Sequence, residues 1–354
     1  MNSAGHVIAV GVRKSKFMVI FEKHTQEVMR KTLILIFLLC LPTLLIISLS
    51  IGESGIGINE LVDYILTGSM SPMGKIVITE IRLPRSLAAL LTGAALGISG
   101  AMLQGMLRNP LASPFLLGIS SGAGVCVVIL ISLNVVAAWI PIGAWLGAVL
   151  AALSVFVIAY NKGSLTIERL ILSGVAISSV LGSIQAVFLL RSDDARIQNS
   201  LTWLSGTLAG RDWSDIQYNW APITVVTLIS ILLSKKLNLA ALDSDTSKSL
   251  GLSILQLRIL VGLLATILTA CAVCIAGLVG FVGLVIPHIV RLIFGNDFKL
   301  ILPLSALLGS LVVLAADIIA RNFLGELPVG LVTSLIGSPF FVYILRKSRA
   351  KRFS

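Results

Sequence analysis

The chain has 354 residues, of which 56% are hydrophobic and 12% charged, and its formal net charge is +11. A soluble globular domain carries roughly 25% charged residues, so a chain with a mean hydropathy of +1.01 has too few charges to cover a water-facing surface. That excludes a string of soluble domains. The basic excess falls in short runs between apolar stretches, which is the positive-inside pattern of a membrane protein and not a nucleic-acid-binding face.

Residues 1–31 read as a basic cytoplasmic tail. From Thr32 the chain is expected to form an all-α integral membrane domain over residues 32–346, with about ten transmembrane helices. The apolar runs predict spans at 32–51, 84–106, 115–134, 138–160, 168–190, 215–234, 256–276, 279–294, 300–321 and 328–346. The first is long enough to span and has no small-residue cleavage site after it, so it reads as a retained helix. Between the first two spans, Ile58 to Leu66 predicts a short amphipathic helix on the membrane surface. Residues 193–212, with Trp203, predict another short helix. Residues 239–258 form the longest inside loop, and residues 347–354 a basic cytoplasmic tail. Alternate loops hold most of the lysines and arginines, among them Arg108, Lys162, Lys235, Lys236, Arg258 and Arg291. An even number of spans with both termini cytoplasmic is therefore self-consistent.

Few residues offer chemistry. The nearest approach to a phosphate loop, Gly68 to Lys75, has five residues between its glycines instead of four and Ile76 where a magnesium-binding hydroxyl belongs. ATP hydrolysis is thus not expected of this chain. Cys271 and Cys274 form a C-x-x-C inside an apolar span. No second pair completes a metal site, and packing in a helix explains them better than redox or metal chemistry. His288 follows Pro287 and can kink or cap the span. Asp317 is the one acid deep in an apolar run, with Arg321 four residues on as its expected partner. A proton-driven transporter would need more such groups, and a non-transporting scaffold is the other rival. Arg82, Arg85 and Arg321 stand at outer span ends, where arginine either snorkels or pairs with acidic groups on another protein. The inside loop, with Leu250-Gly251-Leu252 and an N-cap candidate at Ser253, reads either as two short helices joined at Gly251 or as an ordinary solvated loop.

Several segments resemble the FecCD-type permeases of bacterial ABC importers, which carry ferric siderophores, haem or vitamin B12. The run from Arg82 to Val125 (RLPRSLAALLTGAALGISGAMLQGMLRNPLASPFLLGISSGAGV) is similar to the second and third helices of that family. ERLILSGVAIS (Glu168 to Ser178), LGLSILQLR, AGLVGFVGLVIPHIVRLIFG and LAADIIARNFLGELPVGLVTSLIGSPFFVYIL (Leu314 to Leu345) resemble its later segments. The resemblance covers about residues 32–346.

The resemblance implies the ten-helix BtuC-like permease fold in the bacterial cytoplasmic (inner) membrane. It also implies a second permease subunit (identical or related), two cytoplasmic ATPases that hold ATP and magnesium, and a periplasmic or lipid-anchored binding protein. No cofactor is expected on this chain. By the same resemblance Arg82, Arg85 and Arg321 receive acidic residues of the binding protein. Asp245, Ser247, Leu250, Gly251, Leu252 and Ser253 belong to the ATPase-docking loop, with Ser247 where the family often has Ala. Ser120 and Ser121, and Ser164 to Thr166, fall where the family lines or gates its path. Iron(III)-siderophore uptake by alternating access is the function implied, with haem or cobalamin as alternatives.

Overall fold

In lipid every backbone N–H and C=O must be bonded within the chain, so each apolar run is driven to a helix. The computed structural model describes residues 16–52, 57–68, 70–242, 244–323 and 325–350. Residues 1–15 of the tail expected at 1–31, residues 351–354 of the tail expected at 347–354 and the side chain of Asp245 lie outside the described residues. The first helix, α1 (Lys16–Ser50), begins well before Thr32, so the second half of the stretch read as a tail is helical. Its membrane-compatible part starts at Glu27.

The short helices α2 (Ile58–Thr67) and α3 (Pro72–Ile76) follow, and a π-helical turn over Val77–Arg82 leads into α4 (Leu83–Met106). Then come α5 (Ile119–Ser132) and α6 (Ile140–Ala159). The hairpin strands β1 (Tyr160–Asn161) and β2 (Ser164–Leu165) turn the chain into α7 (Ile167–Leu190). Helix α8 (Asp194–Leu204) is the expected short helix with Trp203. Next are α9 (Trp213–Gln217) and α10 (Trp220–Leu232), a segment that bends by 53° into α11 (Ser234–Ala240). The chain ends with α12 (Ser244–Ser249), α13 (Ile254–Ala276), α14 (Val282–Phe294), α15 (Phe298–Phe323) and α16 (Val329–Ala350).

Among the described residues six helices are long and apolar enough to cross a membrane, or seven if the bent pair is one span. The other three expected spans fall on shorter apolar helices, α5, α14 and the described part of α16. Helices α5 and α14, at 14 and 13 residues, reach only about 20 Å, against a hydrocarbon core of roughly 30 Å. Each follows a short stretch without α-helix, in which Pro114, Leu117 and Gly118 before α5 and Gly277 and Val279 before α14 are buried. After α4 the chain folds back, and Pro114 lies with Leu96 against Gly283 of α14. Leu96 is nearly three turns before the end of α4, so α5 starts about 15 Å in from that end. Such backbone is tolerated at membrane depth where protein, not lipid, surrounds it.

Helix α4 is the hub, packed along α13, α14 and α15, while α1 and α7 lie outermost. What admits so close a packing is the glycine stripe. A Cβ at Gly93 would collide with the Gly309 carbonyl, one at Gly97 with that of Ser305, and one at Gly100 with that of Gly283. Small residues gain close van der Waals contact where lipid supplies no hydrophobic drive between helices. The contacts pair the start of α4 with the end of α15 and the end of α4 (Gly105) with the start of α15 (Phe298). The two helices thus run antiparallel over their whole length.

Candidate functional site

At one end of the α4–α15 pair three arginines converge with two carboxylates. The Arg85 guanidinium binds Asp317 side-on, with Nε 3.0 Å from Oδ1 and 3.2 Å from Oδ2, and Nη2 3.0 Å from Oδ1. Its Nη1 donates to Glu326 Oε1 at 3.2 Å. Asp317 is fully buried. The expected i,i+4 partner, Arg321, has its Nε 4.0 Å from Asp317 Oδ2, too long for a hydrogen bond. Two contacts explain the exchange. Antiparallel packing sets Arg85 directly across from Asp317, and Arg321 is drawn to the C-terminus of α1, where its Nη2 donates to the Ser48 carbonyl and, at 2.8 Å, to Ser48 Oγ.

Arg82 makes the matching contact, donating from Nη1 to the Leu49 carbonyl at 2.6 Å. The last carbonyls of a helix lack intrahelical donors and carry partial negative charge, so two arginines cap α1. Gly52 leaves the room: a Cβ there would stand 2.8 Å from Arg82 Nη2. The hydroxyls of Ser48 and Ser86, 2.7 Å apart, complete a buried node between α1 and α4. Arg82 and Arg321 are therefore not surface arginines; both are buried. They border a cleft with Gly52, Arg85, Asn322 and Glu326.

At the opposite end of the pair, α11 is the junction. Ser247 is fully buried, and its hydroxyl donates to the Leu239 carbonyl at 2.8 Å. It pins α12 onto α11 and does not face outward. Leu250 is exposed, and Gly251 turns at φ +78 with open space around it. Leu252 packs against the core, and Ser253 accepts from Gln256 N at 3.5 Å as the N-cap of α13. Gly251 therefore joins one short helix to a long span, and not to a second short helix. Arg108, at the turn after α4, donates from Nε to the Ala240 carbonyl at 2.8 Å. Asn238 donates to Asp297 Oδ1 at 2.7 Å and accepts from Phe298 N at 2.9 Å. The Asn238 amide and the Lys299 N–H hold the Asp297 carboxyl below its ordinary range. The contacts of Arg108 with Ala240 and of Asn238 with Asp297 and Phe298 do not show in sequence spacing, because each joins segments far apart in the chain.

The four hydroxyl residues assigned to the path separate into two places. Ser120 and Ser121 open α5, and Ser120 Oγ is buried without a partner. Ser164 and Thr166 serve local structure. Ser164 Oγ donates to the Asn161 carbonyl at 2.9 Å across the hairpin turn, and Thr166 caps α7. The Leu165 carbonyl between them accepts from Arg258 of α13. Serine and glycine not singled out in the sequence, Ser179, Gly182 and Ser183, lie exposed along α7. Gly68 is the left-handed C-cap of α2, donating to Tyr64 O, so the Gly68–Lys75 segment is a helix end and a helix start. Cys271 and Cys274 are buried free thiols, and Asn219 Nδ2 donates to Cys274 Sγ at 3.7 Å.

The model of the FecCD transport family matches residues 37–347. The chain is 40% identical over 273 residues to a cobalamin import permease, BtuC, of Halobacterium salinarum, covering 77% of this chain and 74% of that one. It is 37% identical over 308 residues to an Fe(3+)-citrate import permease, YfmD, of Bacillus subtilis, covering 86% and 91%. It is 36% identical over 320 residues to a hemin transport permease, HmuU, of Yersinia pestis, covering 87% and 95%. A solved structure of an inward-facing metal-chelate type ABC transporter superposes with a TM-score of 0.81 at 31% identity, covering 90% of this chain and 99% of that one.

Proposed function

The chain belongs to the FecCD transport family, and from that membership we propose that it is the membrane-spanning permease of an ATP-driven importer for a bulky metal chelate, an iron(III)-siderophore in the first reading. The 40% identity to a cobalamin permease makes cobalamin the second reading, and haem follows from the hemin relative. The proposal includes ten crossings with both termini cytoplasmic, in the bacterial inner membrane. A second permease copy or a related chain lies beside this one. Two ATPases holding ATP and magnesium sit on the cytoplasmic side, and a binding protein docks on the far side.

The observation that carries it is the placement of two different contact sites at the two ends of one buried helix pair. The arginine-lined cleft sits where α4 begins and α15 ends. The α11–α12 junction sits where α4 ends and α15 begins. In this mechanism acidic side chains of the loaded binding protein enter the cleft, where the planar guanidinium of Arg85 suits a carboxylate. ATP binding draws the ATPases together and moves the knob around Leu250 and Gly251. Ser247 passes that displacement to α11. From α11 it reaches the turn before α5 through Arg108, and the start of α15 through Asn238 and Asp297. Ser120 and Ser121, at the start of α5, then lie on the part that moves, and access alternates between sides. No bond in the cargo needs to change.

The docking test must not strand a buried carboxylate. Arg85→Glu would set a second acid against Asp317 and unfold the outer end, whatever its role. Arg85→Gln combined with Asp317→Asn removes the charge and keeps a hydrogen-bonded pair. We expect this variant to fold, to lose binding-protein docking at least tenfold and to lose uptake. Wild-type docking by a folded double variant refutes the assignment. Uptake of labelled siderophore, haem and cobalamin in a deletion strain separates the cargo readings.

A further inference from the structure

Glu326 occupies the place an incoming carboxylate would need. Its Oε1 lies 3.2 Å from Arg85 Nη1, the donor of that guanidinium turned away from Asp317. We infer that Glu326 is an internal stand-in for the partner's acidic residue, released when a glutamate or aspartate of the docking protein takes over Arg85. This rests on the docking reading above and adds to it what the docking residue must displace.

The two carboxylates on Arg85 are held very differently. The Asp317 side chain is 1% exposed and meets the guanidinium through Nε and Nη2. The Glu326 side chain is 63% exposed and makes a single contact. It sits on the connection between α15 and α16, where Gly325 and Glu326 both take positive φ, +64 and +58. For a residue with a Cβ that conformation is disfavoured, so letting the side chain go and relaxing the backbone favour each other.

Charge balance argues the same way. The cleft gathers the guanidiniums of Arg82, Arg85 and Arg321 around Asp317 and Glu326. With Glu326 in place both sides of the Arg85 guanidinium face a carboxylate. With Glu326 gone, Nη1 of Arg85 has lost its carboxylate, and one carboxylate from outside replaces it. Arg82 and Arg321 stay tied to the end of α1, so the exchange happens at Arg85. The site would accept an acidic side chain that reaches in from above and makes one contact, as Glu326 does.

An internal competitor lowers apparent affinity by the fraction of time the site is open. A half-exposed ion pair of this kind is worth a factor of roughly two to five. The experiment uses the full permease with its ATPases in lipid nanodiscs, and the binding protein of the same transporter as probe. Glu326→Gln should tighten docking about threefold. Glu326→Asp, too short to reach Arg85, should tighten it as well. Glu80→Gln removes the same charge from an exposed position outside the cleft and should leave affinity unchanged. Unchanged or weaker docking by both Glu326 variants overturns the inference, and so does equal tightening by Glu80→Gln, which would mean net charge alone. If Arg85→Gln/Asp317→Asn abolishes docking while Glu326→Gln is neutral, only the stand-in falls. If that double variant docks normally, both readings fall.

Discussion

Replacing Arg85 by alanine should cost far more than removing the acid it binds. Asp317 is fully buried in α15, and Arg85 supplies its hydrogen bonds at 3.0 and 3.2 Å. Arg85→Ala strands that carboxylate. Breaking one side of a buried pair costs about 3–5 kcal/mol, because the remaining charge is desolvated and uncompensated. Arg321 tempers the loss, since its Nε is already 4.0 Å from Asp317 Oδ2 and a small shift would bring it into contact. We therefore expect the lower end, about 3 kcal/mol. Asp317→Asn leaves Arg85 a carboxylate partner in Glu326 and a neutral acceptor in place of the buried acid. It should cost about 1 kcal/mol, the net worth of a hydrogen bond. Adding Asp317→Asn to Arg85→Ala should then recover about 2 kcal/mol. Unfolding of the purified permease in detergent, followed by tryptophan fluorescence in a double-mutant cycle, measures all three. If Asp317→Asn costs as much as Arg85→Ala, or the two losses simply add, then the carboxylate is not the group that Arg85 stabilises.

Two further outcomes concern the α11–α12 end. Gly251→Val forces a branched side chain into a turn at φ +78 and should uncouple ATP hydrolysis from uptake in reconstituted vesicles while the chain still folds. Ser247→Ala should lower stability by about 1 kcal/mol through the lost bond to Leu239 and weaken coupling less than Gly251→Val does. Coupling that survives Gly251→Val would refute the knob. The second outcome is a pH dependence. Asp297 has its carboxyl held below the ordinary range by Asn238, so its contribution is present above the unfolded-state value of about 3.9 and is lost as pH falls through the lower folded value. Asp297→Asn should therefore flatten the acid limb of the stability profile measured between pH 6 and 3. An unaltered limb would exclude Asp297 as the group responsible.

The helices were legible because lipid leaves an apolar run few alternatives to a helix. The contacts that define the two sites were not. Arg82 and Arg85 stand out in sequence, yet nothing beside them says that the end of α1 supplies a carbonyl for one and that Asp317 supplies a carboxylate for the other. The i,i+4 rule proposed Arg321 for Asp317 from local spacing, and the tertiary partner across the helix pair won. Ser247 lies in a polar stretch with no signal of burial, yet it is buried with its hydroxyl on the Leu239 carbonyl of α11. Asn238 and Asp297 carry no spacing signal, since they meet only after the intervening spans have packed. Glu326 had a local clue in the Gly325-Glu326 turn before Pro328, and its partner again lay elsewhere.

Because α4 and α15 run antiparallel in close contact, the arginine cleft and the α11 junction are two ends of one strut about 36 Å long. The glycine contacts along it leave no slack: a Cβ at Gly93, Gly97 or Gly105 would meet atoms of α15. A pair packed that tightly can tilt or slide as a unit but cannot bend freely. In the proposed mechanism, docking at one end and knob movement at the other would therefore act on the same rigid body. Two helices begin partway along it: α5, entered through the turn at Arg108, and α14, entered through Gly277 and Phe281 with positive φ of +68 and +64. In the proposed mechanism the strut would carry the signal, and the test is whether Gly251→Val at one end alters docking at the other.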